Sequence, residues 1–264
     1  MLSSLRRAWR VPATALAFAC FGVGGVLLGL IGFPLQRLLV WHARRRVLYA
    51  RALVHFAFAC FIRLLWALRI VSYEIRGRER LDRQGLLILA NHPTLIDVVF
   101  LVSLVRNADC IVRAGLASNP FTRGPVRATG YICNDGGAEL VEAATASLHA
   151  GNNLVIFPEG TRSRPGQPLQ MQRGAAQIAL RAGRPITPIT LRCTPLGLTK
   201  GRPWWRCHDR PMHFSIEVGE DLPVAPFLEA SAGEPALAAR RLTAYLSEYF
   251  SDAKGGKQNA SAGA

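Results

Sequence analysis

From Val11 to Gln36 the chain carries no charged side chain and no histidine. A stretch this apolar must be buried, either in lipid or against protein. As a helix it would be about 39 Å long, more than the roughly 30 Å hydrocarbon core of a bilayer. Basic residues flank it, with Arg6, Arg7 and Arg10 before and Arg37 after. A cleavable leader has a similar start, but its apolar core is shorter and ends in a small-residue cleavage site. Gly22, Gly24, Gly25, Gly29, Gly32 and Pro34 inside the run suit either close helix packing or a break that turns the chain back.

A second helix is expected over residues 44–71. Arg44, Arg51, His55 and Arg69 fall in one narrow sector at 100° per residue, among Leu53, Phe56, Phe58, Phe61, Leu64, Leu65 and Trp66. A basic stripe on so apolar a helix suits the headgroup boundary, with an ordinary core helix as the plainer alternative. The net charge of +15 calls for an anionic partner. The arginine-rich stretch beside the apolar run favours a membrane surface over nucleic acid. The six cysteines form no Cys-x-x-Cys pair and no metal-ligand spacing with histidine, so neither a metal site nor a disulfide framework is expected. Scattered reduced thiols suit a domain facing the cytoplasm.

After Ser72 the pattern changes to short apolar runs alternating with helical stretches. Strands are expected near 73–75, 86–90, 110–112, 131–133, 154–157, 185–191 and 213–218, with helices over 94–105, 138–150, 173–182 and 235–250. This alternation predicts an α/β fold, a mostly parallel sheet flanked by helices, joined to an N-terminal membrane-embedded or interfacial helical segment. Three regions follow: residues 1–71 as the membrane-anchoring segment, 72–250 as the α/β domain, and 251–264 as a disordered tail.

Two strand exits carry the chemistry. At the first, Ala90 leads into Asn91-His92-Pro93-Thr94-Leu95-Ile96-Asp97. A neutral imidazole can take a proton from an alcohol near pH 7, and does so best when a carboxylate holds its other nitrogen as N–H. His92 and Asp97 are candidates for that pair; on its own, the spacing favours a helix cap beside a locally bonded histidine. No Gly-x-Ser-x-Gly elbow supplies a serine nucleophile, and nothing marks Cys133 as an activated thiol. At the second exit, Phe157-Pro158-Glu159-Gly160-Thr161-Arg162-Ser163 forms a tight polar turn. Arg162 could hold a phosphate in forked geometry, and Glu159 could accept from substrate hydroxyls or orient Arg162. The two turns are expected to face one pocket.

Together these motifs resemble the glycerolipid acyltransferases, the lysophosphatidic acid acyltransferases and their relatives. The first and third motifs of that family, Asn-His-x-x-x-x-Asp and Phe-Pro-Glu-Gly-Thr-Arg-Ser, are matched in full, and Arg184–Ile189 supplies the Pro-rich apolar strand of the fourth. The resemblance covers Leu86 to Leu191. It implies acyl transfer from acyl-CoA or acyl carrier protein to a lysophospholipid hydroxyl of the 1-acyl-glycerol-3-phosphate type, with His92 as base and Asp97 as its partner. Asn91, Arg113, Glu159, Gly160, Thr161 and Arg162 are the expected substrate-binding residues. It implies no cofactor and no metal, membrane lipids as partners, and a cell-membrane location with the catalytic domain on the cytoplasmic face.

The second family motif, Gly-x-x-Phe-x-x-Arg, is broken: alignment on Gly130 puts Cys133 at the Phe position and Gly136 at the Arg position. That arginine is expected to hold the acceptor phosphate. Arg113, Arg123, Arg127 or Arg162 could replace it, or the acceptor is a non-phosphate lipid of the ornithine-lipid or polyene type. Thioester hydrolysis by the same pair and a non-catalytic lipid-binding role are the remaining alternatives. The intact His92, Asp97 and Glu159 speak against the last.

Overall fold

The structure, a computed structural model, describes residues 2–119, 121–134, 137–164 and 166–255. In chain order the elements are α1 (Leu2–Leu27), a π-helical turn (Leu28–Gly32), α2 (Phe33–Leu39), α3 (Ala43–Ala67), β1 (Val71–Arg76), β2 (Leu87–Ala90), α4 (Asp97–Leu104), β3 (Ala108–Arg113), α5 (Ala114–Ser118), α6 (Arg123–Thr129), β4 (Ile132–Asn134), α7 (Ala138–His149), β5 (Asn153–Ile156), α8 (Arg173–Ala182), β6 (Ile186–Thr194), β7 (Met212–Val218), α9 (Ala225–Glu229) and α10 (Pro235–Gly255).

Seven strands form one sheet in the order β1-β7-β6-β2-β5-β3-β4, and every pairing is parallel except β6 with β7. The expected mostly parallel, helix-flanked sheet is therefore the observed one. Its central strands β2 and β5 are buried along their whole length, as strands covered on both faces must be. Side chains alternate between two cores. Ile88, Ala90, Val155, Ile189 and Leu191 point into one core with α1, α3 and α4. Leu87, Leu89, Leu154, Ile156 and Ile186 point into the other with α7, α8 and α10. Strands β2 and β5 pair in register, Leu89 opposite Ile156, so their carboxyl ends leave the sheet side by side.

The apolar N-terminal run does not turn back on itself. It forms a single helical run through Pro12 and Pro34, interrupted only by the π turn. Its glycines serve close packing: a Cβ on Gly124 of α6 would stand 2.9 Å from the Gly29 Cα, and one on Gly25 would stand 2.9 Å from the Phe121 carbonyl oxygen. Helix α3 then packs antiparallel, with Gly32 beside Leu53 and Phe21 against Phe58 and Phe61. Trp9–Leu39 and Ala43–Ala67 are each long and apolar enough to cross a membrane.

The basic stripe of α3 corrects the expectation made for it. Arg51 is 4 % exposed and pairs at 2.8 Å with Asp109, itself 3 % exposed on β3. The same guanidinium donates to the Thr129 carbonyl and to Asn107 Oδ1. His55 Nδ1 lies 2.8 Å from the Val102 carbonyl at the end of α4. These two stripe residues dock α3 onto the α/β domain because each finds a buried anionic or carbonyl partner there. The outward face is the apolar one, with Tyr49, Phe56 and Trp66 more than half exposed. Helix α3 is thus both a layer of the fold and an exposed apolar surface. At the other end α10 continues to Gly255, so residues 251–255 of the expected tail are helical; residues 256–264 lie outside the described residues.

Candidate active site

The chain leaves β2 at Asn91, which is buried and locked in place. Its amide donates to the Leu191 carbonyl (2.8 Å) and accepts from the Leu191 N–H (2.7 Å). The side chain thereby continues the pairing with β6 where the ladder ends. Asn91 was expected to bind substrate; with both ends of its amide bonded inside the sheet it fixes the start of the turn instead.

His92 follows, with its ring 15 % exposed and its Nδ1 2.9 Å from Asp97 Oδ2. Asp97 is fully buried at the first turn of α4. Its Oδ2 also accepts the Thr94 N–H (2.6 Å), and its Oδ1 accepts the Thr94 hydroxyl (2.5 Å). Burial pushes the Asp97 carboxyl above its ordinary range, opposed by His92 and by both Thr94 bonds. Donors on both oxygens suit a carboxylate, which only accepts; Nδ1 then carries the proton and Nε2 keeps its lone pair. The ring stacks on Phe157 with centroids 4.3 Å apart, which fixes its second face.

Phe157 belongs to the turn after β5, and that turn is tied to the first by its acid. Glu159 is buried, and its Oε1 accepts the His92 backbone N–H (2.9 Å) and the Ser163 hydroxyl (2.8 Å). Ser163 in turn donates its backbone N–H to the His92 carbonyl (2.7 Å). Glu159 was expected to touch substrate; this oxygen instead bolts the two turns together. The two turns, expected to face one pocket, are tied to each other through Glu159.

The turn at Gly160 needs a left-handed residue (φ +64°), which glycine supplies without strain. Cations gather around it. Arg113 donates to the Gly160 carbonyl (2.9 Å), Lys200 to the Thr161 hydroxyl (3.1 Å) and Arg162 to the Leu198 carbonyl (3.1 Å). The structure thus brings Arg113, Gly160, Thr161 and Arg162 together. Lys200 was not foreseen: it lies far downstream of both motifs, in the loop after β6. That loop also closes over the first turn, since Leu95 donates its N–H to Leu198 (3.1 Å). Gly136 falls outside the described residues. Cys133 sits on β4, three strands from β2. Cys193 feels the charge of Asp97, but burial first of all pushes its thiol up to about 12, so it is no nucleophile at neutral pH. Among the described residues no three His, Cys, Asp or Glu side chains group in a way that could hold a metal ion.

A histidine–aspartate pair at the edge of a parallel sheet, linked to a cation-lined turn, is the geometry against which known proteins can be compared. Residues 72–192 match the family model described as Acyltransferase. Over this segment the chain is similar to the acyltransferases. It is 28 % identical over 134 residues to the 1-acyl-sn-glycerol-3-phosphate acyltransferase of Pseudomonas aeruginosa, covering 47 % of this chain and 52 % of that protein. It is 33 % identical over 117 residues to the protein of the same name from Helicobacter pylori, covering 42 % and 49 %. The chain spans about half the length of these relatives. The crystal structure of the 1-acyl-sn-glycerophosphate (LPA) acyltransferase PlsC from Thermotoga maritima has the same fold, with a TM-score of 0.66 over 94 % of this chain and 97 % of that one at 19 % identity.

Proposed function

We propose that this protein is a membrane-bound O-acyltransferase that moves a fatty acyl chain from acyl-CoA or acyl carrier protein to the free hydroxyl of a lysophospholipid of the 1-acyl-glycerol-3-phosphate type. The observation that carries this reading is the His92–Asp97 pair, with Nε2 free to take a proton at the edge of the sheet. The acceptor hydroxyl gives its proton to Nε2 as its oxygen attacks the thioester carbonyl. Asp97 holds the ring and stabilises the imidazolium that forms. Collapse of the tetrahedral adduct expels the thiolate, which takes the proton back from His92, so no acyl-enzyme is needed. Asn91 and Glu159 position the base.

Arg113, Arg162 and Lys200 bind the acceptor's phosphate around the Gly160–Thr161 turn. Gly136, where the resembling family has arginine, favours the second reading of a non-phosphate lipid acceptor. Trp9–Leu39 and Ala43–Ala67 hold the protein at the membrane, with the α/β domain on the cytoplasmic face and residues 1–71 as the anchoring unit. The test is to incubate membranes containing the full chain with labelled acyl-CoA or acyl carrier protein and a panel of acceptors. Labelling of 1-acylglycerol-3-phosphate supports the phosphate reading, and labelling of a non-phosphate lipid supports the second. Labelled free fatty acid with no lipid product would refute acyl transfer in favour of hydrolysis.

A further inference from the structure

A second concave feature lies apart from the His92 ring, between α1 and the loop from Gly197 to Met212. It is a shallow, open groove whose lining includes Arg10, Trp204, Arg206, His208 and Arg210. The loop is held rather than loose. Trp204 packs edge-on against Phe18 of α1 (5.9 Å) and against Trp205 (5.6 Å). The Cys207 thiol meets the Thr14 hydroxyl (3.7 Å), and His208 Nε2 bonds the Leu196 carbonyl (3.1 Å). Among the described residues neither Arg206 nor Arg210 has a side-chain hydrogen-bond or ion-pair partner. Two arginines that line the groove are therefore left for an outside anion. From Lys200 to Arg210 the loop carries four cations against the single acid Asp209.

The surroundings say what kind of anion. Trp204 and Trp205 are 39 % and 55 % exposed, and Trp9 on the adjoining turn of α1 is 57 % exposed. Exposed tryptophans interleaved with arginines at the end of an apolar helix are the composition of the headgroup layer, where the ring body is apolar and the cation meets phosphate. A neighbouring small pocket shares Thr14, Ile70, Leu198 and Met212 with it and adds Ala17, Phe18, Phe61 and Leu65. Cations and apolar side chains side by side fit an amphiphile better than a soluble anion.

We propose that this groove seats the phosphate headgroup of an anionic membrane phospholipid, which is bound and not acylated. Arg206 and Arg210 hold the phosphate, and the tryptophans mark the depth at which the loop rests in the interface. The proposal does not depend on the identity of the acyl acceptor. Occupancy would steady the loop whose Leu198 and Lys200 contact the active-site turns.

The test uses the detergent-purified full chain, phosphatidylglycerol or phosphatidylcholine in mixed micelles, and native mass spectrometry to count retained lipid. Wild type is expected to retain phosphatidylglycerol over phosphatidylcholine, and Arg206→Gln/Arg210→Gln to lose at least about fivefold of the phosphatidylglycerol adduct with an unchanged thermal melt. A control pair on the helices of the other sheet face, Arg173→Gln/Arg240→Gln, is expected to leave the adduct intact. Equal retention by the Arg206/Arg210 variant, or equal loss in the control pair, would overturn the proposal. So would displacement of the lipid by inorganic phosphate or by coenzyme A, which would make the groove a soluble-anion or acyl-donor site. Failure of the acyl-transfer assay leaves this readout untouched, so the two claims fail separately.

Discussion

The turn after β2 and the turn after β5 leave neighbouring parallel strands at the same height, and each carries a buried carboxylate, yet the two acids do different work. Asp97 addresses a side chain: its charge faces the His92 ring, and burial makes that charge costly to hold. Glu159 addresses backbone: it accepts the N–H of His92 and the hydroxyl that follows its own turn. In the proposed mechanism one acid tunes the base and the other locates it. A site of this kind needs both, because an imidazole with the right proton in the wrong place is no better a base than one with the wrong proton.

Asp97→Asn gives the largest expected effect. The amide can keep the Nδ1–H contact while the Thr94 hydroxyl reverses to accept from it, so the geometry survives and only the charge is lost. Acyl transfer should fall by about 10²- to 10⁴-fold in a labelled-acyl assay. Stability should move the other way. A carboxyl whose folded-state pKa is raised contributes stability at low pH that is lost as pH rises through that pKa. At neutral pH Asp97→Asn should therefore melt no lower than wild type, and any advantage should shrink as the pH is lowered through the carboxylate range. A variant that is both inactive and markedly less stable would make Asp97 a structural residue like Glu159.

Glu159→Ala should show the opposite profile. It strands two inward-facing donors and should cost roughly 1–3 kcal/mol in chemical denaturation, with activity falling only as the turns separate. Lys200→Ala should raise the KM for a phosphate-bearing acceptor by about three- to tenfold with little change in kcat, because a partly exposed cation contributes modestly. Glu159→Gln should do least, within about threefold of wild type in both stability and turnover, since its Oε1 still accepts both bonds. A Glu159→Gln loss as deep as that of Asp97→Asn would erase the distinction between the two acids.

The backbone of this arrangement was legible in the sequence because it is local. Each strand exit is a short apolar run followed by turn chemistry, and parallel alternation puts such exits on one edge of a sheet. What the side chains do there was less legible. Nothing in Phe-Pro-Glu-Gly tells whether Glu159 faces substrate or the neighbouring turn, and the inward choice depends on the Leu89–Ile156 register. Asn91 was hidden for the same reason, its partner Leu191 being on a strand formed a hundred residues later. Lys200 reaches the site through a loop that carries no motif. Arg51 and His55 share a stripe that periodicity could define but not orient; only Asp109 and the end of α4 show that it points inward. The insertion of β7 between β1 and β6 left no local trace at all.

The most direct test of the account is His92→Ala in reconstituted membranes, followed by transfer of a labelled acyl chain to the preferred acceptor. The ring makes no fold-wide contact beyond Asp97 and Phe157 among the described residues, so folding and membrane partition should match wild type. Transfer should fall by at least about 10²-fold, to the level left by binding alone. Wild-type transfer by a folded, membrane-bound His92→Ala protein would contradict the assignment of His92 as the base.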